Sequence, residues 1–203
     1  NNEPWKASSA EDSPKAEEFP AHVGVRARST NRGLRQQELF AADSAITEGE
    51  FIAYKMDDAY SADSNIRRLI NETLGDAEIA GDDSVAEAMK LLARWDGRTN
   101  RENRSAALAV TFGRYALGIL LNGDDAPNPE RYGALRKAAA DIEAGFDRLD
   151  PEWGEVNRLI RGPVSLPLNG GPDTLRAIYS TADLAQGPGE AVAGDTYVML
   201  VEW

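Results

Sequence analysis

The chain has 203 residues, of which 42% are hydrophobic and 28% are charged, which are ordinary proportions for a globular protein. Acidic residues outnumber basic ones by 34 to 22, and the net charge of −12 argues against nucleic acid, whose phosphates need a basic surface. The absence of cysteine excludes disulfides, thiolate metal sites and a cysteine nucleophile within the chain. No apolar run approaches the roughly 20 residues that span a bilayer, so we expect no membrane partner.

Three zones follow one another along the chain. Residues 1–30 are rich in Pro, Ser, Glu and Ala and are predicted to be extended or looped. Residues 31–149 carry helical periodicity, and residues 150–203 carry glycine and proline breaks between short β-like runs at 156–160, 165–168 and 196–203. The predicted fold class is therefore α+β, mainly α-helical with C-terminal β-strands.

Helix boundaries in the middle zone are marked by local signals. Thr47 with Glu50, and Ser84 with Glu87, fit the capping box, in which a hydroxyl and a carboxylate satisfy each other's backbone donors. Apolar residues then recur at helical spacing, and this spacing is typical of core packing and not of a cofactor site. The side chains predicted to be buried are Leu92, Phe112, Tyr115, Ile119, Leu135, Ile142 and Phe146.

Motifs that carry chemistry are sparse. The single histidine, His22, lies in a Pro- and Ala-rich loop without a serine elbow and is interpreted as incidental. The run Gly187-Pro188-Gly189 has the wrong spacing for a dinucleotide loop. The carboxylate pairs Asp57-Asp58, Asp82-Asp83 and Asp124-Asp125 lack a calcium-loop pattern and are interpreted as solvated turn residues. No metal or cofactor site is therefore predicted.

Four segments, in order, carry a resemblance. They are NNEPW at 1–5; RGLRQQELF at 32–40; LARWDG at 92–97 with SAA at 105–107; and WGEVNR at 153–158 with PLNGGPD at 167–173 and GDTYVM at 194–199. They resemble segments of the penicillin amidase family, especially its aculeacin acylase and acyl-homoserine-lactone acylase branch. Gln36 stands where that family usually has isoleucine. The strength of the resemblance lies in the order of the segments and their coverage of nearly the whole chain.

The resemblance implies amide hydrolysis by an N-terminal serine whose own α-amino group acts as the base, within an αββα N-terminal-nucleophile hydrolase. It maps the oxyanion-binding asparagine onto Asn1 and the arginine that organises the active site onto Arg32. The chain starts with Asn1, without a hydroxyl or thiol, so we expect it to be an internal piece of the β chain that is inactive in isolation. No cofactor is implied.

The resemblance also implies partners and a location. The partners are the α chain and the N-terminal part of the β chain, and the substrates are penicillins, N-acyl homoserine lactones or lipopeptides. A periplasmic or secreted location is implied. Without those partners, apolar surface near Phe40, Phe51 and residues 198–203 is expected to favour self-association. The alternative is a non-catalytic helical packing or binding module of a larger secreted protein, in which Asn1 and Arg32 have no chemical role.

Overall fold

The computed structural model describes residues 13–25, 29–121, 128–195, 199 and 201. The helices are α1 Asn31–Ala41, α2 Glu48–Lys55, α3 Asn65–Leu74, α4 Ala77–Ala80, α5 Ala86–Ala93, α6 Ala106–Leu117, α7 Asn128–Phe146 and α8 Trp153–Val156; the strands are β1 Asn157–Arg161, β2 Val164–Pro167, β3 Ile178–Ser180 and β4 Gly189–Gly194. Short 3₁₀ turns lie at Ala16–Glu18, Ala21–Val23, Asp83–Val85 and Leu184–Gln186. No helix within these ranges is long and apolar enough to cross a bilayer.

Helices α3, α5, α6 and α7 enclose the hydrophobic core. Four of the predicted core side chains, those of Leu92, Phe112, Leu135 and Ile142, are at most 1% exposed, and burial of this kind is the main source of stability. Tyr115 and Phe146 pack against the same cluster and are partly buried. Six of the seven side chains predicted to be buried therefore lie in the core or pack against it.

Ile119 is a correction to that prediction, because its side chain is 50% exposed. Helix α6 ends at Leu117, and Gly118 then adopts a φ of 82°, a positive value that glycine reaches without strain. The turn changes the direction of the chain, so that Leu121, and not Ile119, enters the core with 1% exposure.

The C-terminal zone forms a four-stranded mixed sheet in the order β2-β1-β4-β3. Strand β1 pairs antiparallel with β2 and parallel with β4, and β3 pairs antiparallel with β4. Strands β1 and β2 confirm the runs predicted at 156–160 and 165–168 within one residue. Strands β3 and β4 were not predicted, and the run predicted at 196–203 lies outside the described residues apart from 199 and 201.

Of the two capping boxes, one is confirmed and the other is wrong. Thr47 caps α2, with the Glu50 N–H donating to Thr47 Oγ1 at 3.3 Å and the Thr47 N–H donating to the Glu50 carboxylate at 2.9 Å. Helix α5 instead begins after a 3₁₀ turn, with Val85 as its N-cap and no side-chain cap. The extra turn moves the start of the helix past Ser84.

Candidate functional site around Arg32

Arg32 lies in the first turn of α1, whose start is set by Thr30. The Gly33 N–H donates to Thr30 Oγ1 at 3.3 Å, which satisfies one of the free donors at the helix N-terminus. The Arg32 side chain is 23% exposed, and its Nε donates to Asp173 Oδ1 at 3.4 Å. The other residue implicated by sequence, Asn1, lies outside the described residues.

Asn31 and Asp173 join the start of α1 to the loop before β3, and we call this pair the Asn31–Asp173 clasp. The Asn31 N–H donates to Asp173 Oδ2 at 2.7 Å, and the Asn31 side-chain amide donates to Asp173 O at 2.9 Å. The same amide donates to Ala59 O at 3.0 Å and accepts from the Ser61 N–H at 2.8 Å. One buried asparagine therefore connects three segments and fixes the backbone next to Arg32.

Asp173 combines an unusual backbone conformation with an unusual electrostatic environment. Its φ is 58°, uncommon for a residue other than glycine. Burial raises the pKa of its carboxyl group to about 6, although the backbone N–H groups of Asn31 and Arg32 and the charge of Arg32 act in the opposite direction. An anion at this point is also favoured by the dipole of α1. The carboxylate is held where it can orient Arg32.

Tyr60 connects the loop that carries Asp173 to the third segment of the resemblance, residues 92–97. The Tyr60 hydroxyl donates to Pro172 O at 2.5 Å, and the Tyr60 ring lies 5.5 Å from that of Trp95. The Tyr60 N–H donates to Gly97 O at 2.7 Å. Burial raises the pKa of Tyr60 well above its ordinary value, so the hydroxyl remains a neutral donor. Segments far apart in sequence therefore meet around residues 170–173.

Two parts of the fourth segment also meet at this loop, because residues 153–158 contact residues 167–173. Trp153 Nε1 donates to Gly170 O at 2.7 Å, and the Asn157 amide donates to that oxygen at 3.2 Å. Gly170 has a φ of 88°, and a Cβ there would lie 2.0 Å from Arg176 O, so the position requires glycine. The Asn-Gly-Gly-Pro-Asp run is thus a tightly packed turn.

The carboxylates Asp57 and Asp58 correct an expectation, because they are not solvated. Arg35 binds Asp57 through two bonds, from Nε at 2.9 Å and from Nη2 at 2.8 Å. Asp58 is buried and accepts from Arg98 Nη1 at 3.3 Å, and burial raises its pKa. Asp82 and Asp83 lie at the turn before α5, and Asp124-Asp125 lies outside the described residues.

A cleft of about 370 Å³ opens beside Arg32, and we call it the α1–α2 cleft. Its lining consists of Arg32, Gln36, Leu39 and Phe40 of α1, Phe51, Tyr54 and Lys55 of α2, and Leu175 and Asp195. Lys55 forms an ion pair with Asp195 and donates to Leu175 O at 2.9 Å, so that α2 is attached to the chain just before β3 and just after β4. Gln36 lies one turn after Arg32 and shares its face.

The described residues hold no alternative catalytic arrangement of a familiar kind. His22 lies in a 3₁₀ turn and has no hydrogen bond to a serine in the described ranges. No group of three metal-binding side chains was found among the described residues. Arg32, with the clasp behind it and the cleft beside it, is therefore the strongest candidate site in this part of the chain.

Sequence reasoning missed Asn31, Asp173 and the cleft. In the sequence, Asp173 is only the last residue of the PLNGGPD run at 167–173, and Asn31 immediately precedes the RGLRQQELF segment at 32–40. Their partnership spans 142 positions, which no local pattern reports. The one local signal was the Gly-Gly-Pro-Asp run, since such a turn presents its aspartate in a fixed direction.

Comparison with known protein families gives one finding. The family model described as penicillin amidase matches residues 3–203. The matched range includes Arg32, the clasp and every residue that lines the α1–α2 cleft.

Proposed function

The chain belongs to the penicillin amidase family, and from this premise we propose that the complete enzyme is an acylase that hydrolyses acyl amides with an N-terminal serine supplied outside this chain. The α-amino group of this serine takes the proton of the serine hydroxyl, and the hydroxyl oxygen then attacks the amide carbonyl. The parent fold in this proposal is the αββα sandwich of N-terminal-nucleophile hydrolases. Penicillins, N-acyl homoserine lactones and lipopeptides are the substrate candidates, and the location is periplasmic or secreted.

In this proposal Asn1 supplies a side-chain N–H to the oxyanion of the tetrahedral intermediate. A neutral donor suits that role because it stabilises developing negative charge without competing for the proton of the base. Arg32 organises the groups around the nucleophile through its fixed charge. The proposed division of the chain is 1–30 as the extended segment that carries Asn1, 31–149 as the helical region and 150–203 as the β-rich region.

The family match over nearly the whole chain is the observation that carries the proposal. The position of Arg32 supports it further. Its Nε lies against a buried carboxylate whose own backbone is tied down by Asn31, which is the support that an active-site cation needs to keep one orientation. The match does not favour a non-catalytic packing module.

The test of Asn1 uses the complete enzyme. Asn1→Ala is expected to lower kcat by about 10²–10³-fold with little change in KM, because an oxyanion donor acts on the transition state. Asn2→Asp is the matched control, since the resembling segment admits aspartate at that position, and it should keep kcat within a few-fold. Steady-state hydrolysis of penicillin G and of N-acyl homoserine lactones measures both. A near-normal kcat for Asn1→Ala would remove this role from the proposal.

The isolated chain is expected to hydrolyse no acyl amide. Its internal serines have no free α-amine, and an oxyanion donor without a nucleophile gives only a small residual rate. The measurement is amine release from penicillin G and a long-chain acyl homoserine lactone by the purified chain. Turnover that persists through repurification and scales with protein concentration would place the nucleophile within these 203 residues and contradict the proposal.

A further inference from the structure

Helix α1 is attached to the rest of the molecule through a polar stripe. Asn31, Arg35 and Glu38 stand at positions i, i+4 and i+7 of the helix and therefore share one face. Each of them forms a hydrogen bond with the segment at 57–61. Among the residues that the structure describes, no member of α1 belongs to the hydrophobic core cluster. The orientation of α1 therefore depends on directional polar bonds more than on apolar packing.

The ion pair between Arg35 and Asp57 is the most directional of these contacts. Arg35 donates two bonds to the carboxylate, from Nε to Oδ1 at 2.9 Å and from Nη2 to Oδ2 at 2.8 Å. The two side chains are only 17% and 9% exposed, so water screens the pair little. A planar guanidinium group that binds both oxygens of a carboxylate fixes the angle between the two groups as well as their distance. The pair therefore defines the rotation of α1 about its own axis.

Asp57 is itself held in place from two directions. Its Oδ1 also accepts from the Ala59 N–H at 3.2 Å, and its backbone oxygen accepts from the Arg176 N–H at 2.9 Å. Arg176 follows Asp173 by three residues in the loop before β3. Asp57 therefore connects the middle of α1 to the loop that carries the carboxylate partner of Arg32.

The contact between Arg32 and Asp173 is sensitive to the rotation of α1. At 3.6 residues per turn, Arg32 lies about 60° around the helix from Arg35. A rotation of about 10° moves a group about 6 Å from the helix axis by about 1 Å. The bond from Arg32 Nε to Asp173 Oδ1 is already 3.4 Å long, so a displacement of this size away from the carboxylate breaks it.

We propose that Arg35 and Asp57 are positioning residues for the proposed hydrolysis, and that their ion pair fixes the rotation of α1 so that Arg32 meets Asp173. This role rests on the proposed function of Arg32 and requires no contact of either residue with substrate. A displacement of about 1 Å in a group that organises a reaction can cost about 10²-fold in rate. The loss falls on the transition state, so kcat is expected to decrease while KM stays nearly constant.

The first experiment uses the complete enzyme and the variant Arg35→Lys. Lysine keeps the positive charge but cannot form two parallel bonds to Asp57. We expect kcat to fall by about 10–100-fold, with KM within about threefold of its normal value. Arg104→Lys, the same substitution in the exposed ion pair with Asp150, is the matched control and should change neither constant. Steady-state hydrolysis of penicillin G and of N-acyl homoserine lactones measures both, and a normal kcat for Arg35→Lys overturns the proposal.

A double variant tests whether Arg35 acts through Arg32. If it does, Arg32→Gln combined with Arg35→Lys should have the same kcat as Arg32→Gln alone, whereas two independent defects would multiply. Multiplied losses would therefore contradict the positioning role. A near-normal kcat for Arg32→Gln would instead remove Arg32 from the proposed function, and with it the effect of Arg35 on the reaction. The failure of one proposal is thus distinguishable from the failure of the other.

A second readout needs no hydrolysis, because NMR of the purified chain can follow the pKa of Asp173 through its carboxyl carbon. Burial raises this pKa to about 6, while the Asn31 N–H and the charge of Arg32 oppose the rise. If Arg35→Lys turns Arg32 away and leaves α1 docked, the burial remains and the opposing charge is lost. The pKa should then rise above about 6, and Arg104→Lys should leave it unchanged.

The direction of the pKa change separates positioning from mere attachment. A fall of the Asp173 pKa in Arg35→Lys toward 3.8 would mean that α1 has left the carboxylate, so that the pair attaches the helix and does not orient it. That result, or an unchanged pKa, contradicts the proposal. If Arg35→Lys does not fold, Asp57→Asn takes its place with the same expectations, because asparagine has the same shape but turns one acceptor of the pair into a donor.

Discussion

Helices α6 and α2 are both rich in apolar residues but place them in opposite environments. Helix α6 buries most of its length, and Phe112 at its centre is completely buried. Helix α2 has no buried residue, and its Phe51 and Ile52 are 48% and 42% exposed. The comparison shows that apolar composition alone does not identify a core helix; the neighbours that a helix meets decide its environment.

The two helices are also attached in different ways. Helix α6 is held by packing on α3, α5 and α7, which removes apolar surface from water. Helix α2 and its neighbour α1 are attached mainly by polar contacts: the Asn31–Asp173 clasp, the Arg35–Asp57 pair and the Lys55–Asp195 pair. We therefore expect the core to respond to changes in volume and the α1–α2 region to respond to changes in hydrogen bonding and pH.

The largest expected effect separates the two phenylalanines. Phe112→Ala should lower the free energy of unfolding by about 3–5 kcal/mol, because it opens a cavity in a completely buried site. Phe51→Ala should change it by less than about 0.5 kcal/mol, because half of its ring is already in water. Urea unfolding of both variants measures the difference. Similar losses would mean that the comparison between the helices is wrong.

A smaller effect is expected from breaking the clasp. Asn31→Ala leaves Ala59 O, Asp173 O and the Ser61 N–H without their partner, and should cost about 2–4 kcal/mol of local stability. Hydrogen exchange should show the loss in the amides of α1, with little change in those of α6. Asn71→Ala, at an exposed position on α3, is the control and should change neither. Equal loss of protection in α6 would show that the two regions unfold as one unit.

The titration of Asp173 should give the smallest of these changes in the free energy of unfolding. Its pKa rises from 3.8 to about 6 on folding, so the folded chain binds more protons than the unfolded chain between these values. Stability from this group therefore falls as pH rises from about 4 to about 6, by about 1–3 kcal/mol. Asp173→Asn removes the titration, so the difference between the two unfolding curves at each pH isolates it. A difference independent of pH would contradict the shift.

Local signals in the sequence predicted the features that depend on near neighbours. The Thr47–Glu50 capping box and the burial of Leu92, Phe112 and Ile142 follow from spacings of three or four residues. The predicted burial of Ile119 was wrong because the helical spacing of apolar residues was extended past Gly118, where the helix had already ended. Strand β4 was missed because Gly189–Gly194 is made largely of glycine and alanine, which have little preference for strands, and β3 was missed because Ile178–Ser180 is only three residues long.

The candidate site was predicted only in part, for a different physical reason. Arg32 was identified through a resemblance, but nothing near it in sequence indicates that its partner is Asp173. The burial of Asp58 was also missed, because its partner Arg98 is 40 positions away. Polar contacts of this range are set by the tertiary fold, and a single sequence carries no local pattern that reports them.

The clasp also bears on the order in which the chain acquires its structure during synthesis. Its two members are 142 positions apart, so the clasp cannot form until the ribosome has added the loop at 170–173. At about 5–20 residues per second this delay is roughly 7–28 s, far longer than an isolated helix needs to form and melt. Throughout that interval α1 lacks its attachment to this loop, and its start is held only by residues nearer in sequence, such as Ala59 and Ser61. A nascent chain halted before residue 170 should therefore present α1 to chaperones, and one extended past residue 173 should withdraw it.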